Sequence, residues 1–86
     1  VAKRIQKKSA IKIAFGQAVR KIRLENSLSQ EKLAELSDLH MNYISSVERG
    51  ERNITLENIC KIAKGLNTHP CDLFLNLSYP FSFTKN

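Results

Sequence analysis

Tryptophan is absent from the 86 residues, and glycine and proline are scarce, at three and two. So few turn formers argue against a sandwich or barrel of many short strands, which needs a turn about every 8–12 residues. Two cysteines, Cys60 and Cys71, are too few for a disulfide framework. With His40 and His69 they make no zinc spacing, so both are expected to be small apolar core residues. No stretch approaches the roughly 18–20 apolar residues of a membrane span. Ile11-Lys12-Ile13-Ala14-Phe15, the nearest candidate for a secretory apolar segment, is short and broken by charge. The expectation is a protein of the reducing cytosol, away from membranes. A glycine-rich phosphate loop, paired carboxylates and a credible Ser/Cys–His set are also missing, so neither catalysis nor a cofactor is expected.

What is present fits a small folded unit. Hydrophobic residues make up 42% and charged residues 26%, too apolar for full disorder. A chain this short folds as one domain and buries roughly 64% of its surface, enough for one core but not for a deep substrate cavity. The net charge is +6, unevenly spread. Residues 1–26 hold eight Lys or Arg against Glu25 alone, +7, and residues 27–86 hold six against seven acids, −1. Such asymmetry points to a polyanion partner, nucleic acid or an anionic membrane, or else to a merely solubilising tail.

Helical periodicity runs along most of the chain. Ile11, Phe15, Ala18, Val19 and Ile22 line one face of a helix from about Ser9 to Asn26. Ser29 caps a second, Gln30 to about Leu36, burying Leu33, Ala34 and Leu36. After Ser37-Asp38-Leu39 a third runs from about His40 to Arg49, with Ile44 and Val47 inward and Gly50 as its stop. Thr55 caps a fourth, with Leu56, Ile59, Ile62, Ala63 and Leu66 as its stripe. His69-Pro70 opens a fifth, packing Leu73, Phe74 and Leu77. Tyr79, Phe81 and Phe83 alternate at period two, and Pro80 would confine such a strand to an edge.

The run Leu28-Ser29-Gln30-Glu31-Lys32-Leu33-Ala34, then Leu39, Tyr43-Ile44-Ser45 and Val47-Glu48-Arg49-Gly50, resembles the Cro/repressor-type helix-turn-helix family, often called XRE. Within it, the stretch from Tyr43 to Thr55 is similar to the controller proteins of restriction–modification systems. The resemblance covers about Phe15 to Leu77. It implies an all-α, five-helix, lambda-repressor-like DNA-binding domain over residues 9–77, with the helix-turn-helix at about 30–49. A basic arm, residues 1–8, precedes it, and a short aromatic tail, residues 78–86, follows.

Position by position, the resemblance implies roles. Gln30 matches a glutamine that meets a DNA phosphate at a helix start. Met41, Asn42 and Ser46 match outward positions that reach base edges. Asn42 suits adenine, and Ser46 suits several bases. Met41 stands where many controllers carry arginine, the best reader of guanine, and offers only apolar contact, as with a thymine methyl. Tyr43 either touches the backbone or a deformable step, or lies half-buried against helix two. Arg49, Arg52 and Asn53 are placed for phosphates. Arg23 and Glu48 are expected to form a structural ion pair fixing the angle of helix three.

These readings imply a homodimeric regulator of transcription on palindromic double-stranded DNA, since a two-fold dimer doubles the few base contacts of one module. Phe74, Leu77, Tyr79, Phe81 and Phe83 are the candidate dimer interface, unless the tail folds back on its own core. The alternative is an antitoxin that binds a toxin and its own promoter, and RNA polymerase is a further candidate partner. Deleting Val1 to Lys8 should weaken binding to every sequence alike and flatten the dependence of log affinity on log salt. A slope unchanged by the deletion would make the arm a tail and nothing more.

Overall fold

The structure is a computed structural model, and it describes residues 9–75 and 77. The described residues form four α-helices and one 3₁₀ turn, with no strand among them: α1 Ala10–Glu25, α2 Gln30–Ser37, α3 Met41–Glu48, α4 Leu56–Gly65, and the 3₁₀ turn Pro70–Leu73. The basic arm, and the alternating Tyr79, Phe81 and Phe83 with Pro80, lie outside the described residues.

Three helices start where a hydroxyl can take up an orphan N–H. Ser29 Oγ accepts from Lys32 N at 2.9 Å, Thr55 Oγ1 from Asn58 N at 3.2 Å, and Ser9 Oγ from Lys12 N at 3.5 Å. All four end by the same closure, in which an N–H reaches back five residues. Leu28 donates to Arg23 O, Leu39 to Ala34 O, Glu51 to Ser46 O and Thr68 to Ala63 O, each at 2.9–3.0 Å. The left-handed residue that closure requires is Gly50 once (φ 75°), and Ser27 (57°), Asp38 (54°) and Asn67 (54°) elsewhere. Asp38 thereby makes the tight turn between α2 and α3.

The fifth helix shrinks to a single turn. Pro70 opens it as expected, but the bonds that follow, Asp72 N to His69 O and Phe74 N to Cys71 O, span three residues rather than four. The Asp72 carboxylate closes on the turn's own start, accepting from the Thr68 hydroxyl at 2.6 Å and the His69 N–H at 3.2 Å. Those two bonds, the hydroxyl's first, hold the Asp72 carboxyl below its usual range.

The core gathers Phe15, Val19, Leu33, Ile44, Val47, Ile62, Leu66 and Leu73, one or more from every element. Four expectations fail here. Leu56 is 82% exposed, because the first residue of α4 leans back past the packed face. Leu36 is also exposed, and Ser37 takes the inward place on α2, where the lack of a side chain at Gly65 leaves room for its hydroxyl. Cys60 and Cys71 are both exposed rather than core. Cys60 lies about 100° around α4 from Ile59 and about 200° from Ile62, off the buried stripe. Cys71, two residues before buried Leu73 where about three residues make a turn, falls off the side that packs.

Gly16 sets how closely α1 approaches α3. A Cβ there would run into Val47 O and come within 2.8 Å of Glu48 O. Gly16→Ala should therefore destabilise the fold by about 1–3 kcal/mol, through backbone overpacking, despite alanine's better helix propensity. Thermal or urea unfolding of the variant checks the sign, and a gain in stability would contradict the close approach.

Candidate nucleic-acid interface

The far end of α3 is fixed by charge. Arg23, 7% exposed on α1, donates from Nε to Glu48 Oε2 at 2.6 Å and from Nη2 to Oε1 at 3.0 Å. Its remaining nitrogen, Nη1, donates to Leu28 O at 2.8 Å. Gln30, the first residue of α2, donates from Nε2 to Glu48 Oε1 at 3.0 Å. One carboxylate thus ties the end of α1, the start of α2 and the end of α3. The expected Arg23–Glu48 pair is present. The Gln30 link is additional, and nothing in the sequence pattern distinguished it from an outward glutamine.

The near end of α3 faces out. Met41, 45% exposed, and Asn42, also exposed, occupy its first two positions. His40 precedes them as an N-cap without a side-chain bond to the helix. Both expected outward positions in the first turn are therefore outward.

Ser46 is not. It is 5% exposed, its Oγ donates to Tyr43 O at 2.7 Å, and the same oxygen accepts from Arg52 Nε at 2.9 Å. This corrects the outward placement read from the sequence. The residue sits beside buried Val47, and the closure from Glu51 N to Ser46 O folds the following loop over it. Arg52 is held accordingly, its guanidinium carbon 5.2 Å from the centre of the Tyr43 ring. Tyr43 is half-buried against the core, and its hydroxyl accepts from Asn58 Nδ2 on α4 at 3.1 Å. Asn58 belongs to no motif of the sequence. Its position three residues after the Thr55 cap, at the edge of the apolar stripe, was the available signal.

Arg49 is exposed and donates to both oxygens of Glu51, at 2.9 and 3.1 Å, and to Ser45 Oγ. The bond to Glu51 raises its already high pKa. Asn53 is exposed at the rim of a cleft of about 90 Å³ lined by Phe15, Ile54, Ile59 and Phe74. Phe74 is 44% exposed and tilts on Phe15 at 5.3 Å between ring centres, and Leu77 is half-buried. Tyr79, Phe81 and Phe83, expected beside them, lie outside the described residues. Among the described residues no three His, Cys, Asp or Glu side chains group as a metal site would require. No helix among them is long and apolar enough to cross a membrane.

The family pattern described as Helix-turn-helix matches residues 19–73. The chain is 58% identical over 64 residues to "Control protein C.BamHI" of Bacillus amyloliquefaciens, covering 73% of this chain and 79% of that one. It is 55% identical over 58 residues to "Control protein C.SmaI" of Serratia marcescens, covering 67% and 69%. Among solved structures, the restriction-modification controller protein C.AhdI from Aeromonas hydrophila superposes with a TM-score of 0.76 at 47% identity, over 77% of this chain and 100% of that one.

Removing one partner of the buried pair leaves the other's charge unmatched. Arg23→Ala should destabilise the protein by about 3–5 kcal/mol, whereas replacing Arg23 and Glu48 together by apolar residues of similar volume should cost much less. Urea denaturation of the single and double variants measures the difference. Equal losses would mean that the pair contributes nothing beyond its packing.

Proposed function

Because the chain belongs to the helix-turn-helix family, we propose that this DNA-binding regulator acts as a homodimer on a palindromic operator and controls the expression of a restriction–modification system. The observation that carries the reading is the division of α3. Its last residue is held by Arg23 and Gln30, while Met41 and Asn42 stand free at its start. A helix held at one end and exposed at the other is what a major groove admits.

Asn42 reads adenine through its amide, and Met41 offers apolar contact to a thymine methyl. Gln30 meets a phosphate with its second amide hydrogen, the first being given to Glu48. Arg49, Arg52 and Asn53 flank the groove and meet phosphates. Ser46 acts through Arg52 rather than on a base. Two reading side chains at about 1–3 kcal/mol each, about 2–6 together, reach only the lower part of the roughly 4–10 kcal/mol that separates specific from non-specific binding. Doubling them by a two-fold axis, to about 4–12 kcal/mol, spans that range. The exposed Phe74, with Leu77, supports a dimer contact at the end of the chain, which Tyr79, Phe81 and Phe83 would extend. Its relatives' names, control proteins in each case, support the regulatory reading.

The test uses a site selected from random DNA. The wild-type chain should bind the full two-fold site far more tightly than a half-site or an unrelated duplex. Asn42→Ala should lose about 1–3 kcal/mol on the full site and relax preference at one base of each half. Equal losses on the selected and unrelated duplexes would remove Asn42 from base reading, and equal affinity for half and full sites would remove the dimer.

A further inference from the structure

Three contacts converge on Tyr43 from three directions. Ser46 Oγ holds its backbone carbonyl at 2.7 Å. Arg52, anchored on the same Ser46 hydroxyl, lies against the ring face with its guanidinium carbon at 5.2 Å. Asn58, whose own N–H is fixed by the Thr55 cap, gives its amide hydrogen to the phenol oxygen at 3.1 Å. The ring therefore has one orientation before any partner arrives. A phenol carries one proton to donate and two lone pairs to accept. With a lone pair taken by Asn58, its unspent hydrogen-bonding capacity is dominated by the O–H, which accepting a bond makes a stronger donor.

We propose that Asn58 is a positioning residue for DNA recognition, which presents Tyr43 as a hydrogen-bond donor to a phosphate oxygen beside Arg52. The inference rests on the DNA-binding reading above and adds to it a residue on α4, outside the helix-turn-helix. A cation against the ring and a polarised O–H at its tip are complementary to an anionic oxygen and unsuited to a donor group such as an exocyclic amine. Tyr43 thus holds the backbone in register, and the bases are left to Met41 and Asn42.

The experiment is a double-mutant cycle of Tyr43→Phe and Asn58→Ala, read as affinity for the selected operator duplex at fixed salt. Asn58→Ala should weaken binding about tenfold where Tyr43 is present, and should add little in the Tyr43→Phe background. Asn58→Asp forms a second arm, because its carboxylate accepts the phenol proton and removes the donor. Its loss should exceed that of Asn58→Ala, and the excess should shrink in the Tyr43→Phe background. In the free protein, with ring-labelled tyrosine, the Tyr43 Cζ resonance should shift on Asn58→Ala while that of Tyr79, the second of the two tyrosines, serves as reference. Losses that simply add across the cycle, or a Tyr43 resonance that does not move, overturn the inference alone. A wild-type chain that prefers no duplex overturns the DNA reading, and this inference with it.

Discussion

Glu48 is the point on which the arrangement turns. Two charges withdrawn from water carry a desolvation penalty of several kcal/mol each, so the pair must be satisfied in every direction to persist. It is: both carboxylate oxygens accept, and the guanidinium also reaches Leu28 O. Such a pair contributes more to geometry than to net stability. Gly16 makes the geometry tighter, because α1 can lie against the carbonyls of Val47 and Glu48 only where no side chain intervenes. α3 is therefore located by charge from one side and by backbone contact from another.

An eight-residue helix is about 12 Å long, little more than two turns. The chain divides the work by position. Ile44, Ser46, Val47 and Glu48 are turned to the protein, Tyr43 lies half-buried between, and only Met41 and Asn42 are left to the solvent at the helix start. The arginines that follow are not idle in the meantime. Arg49 is engaged by Glu51 and Arg52 by Ser46, so both guanidiniums are already organised rather than loose.

The helices with strong apolar periodicity and a hydroxyl cap were legible to within a residue or two. Their signals are local, and the tertiary structure agrees with them. The Arg23–Glu48 pair was legible only through family resemblance, since no periodicity relates two residues 25 apart. What escaped the sequence was mostly direction. Ser46 lies on the helix where an outward residue fits equally well, and the loop closing over it decides the matter. Cys60 and Leu36 are apolar but stand outside the packed arc, since hydrophobicity alone carries no angle, and Leu56 is on the stripe but lies beyond the packed face at the helix end. The fifth helix failed for a different reason: Asp72 bonds back to Thr68 and His69 as a helix start requires, but the backbone that follows closes in three-residue bonds and stops after one turn, which no side-chain pattern announces.

The left-handed closures at Ser27, Asp38 and Asn67 have a bearing on the unfolded chain. A non-glycine residue in that conformation is strained in the native state by roughly 1–2 kcal/mol relative to a right-handed one. Glycine would relieve the strain, but it would also give the denatured chain more conformations to lose on folding. By using glycine at only one of four closures, the sequence keeps its denatured ensemble narrower at the other three.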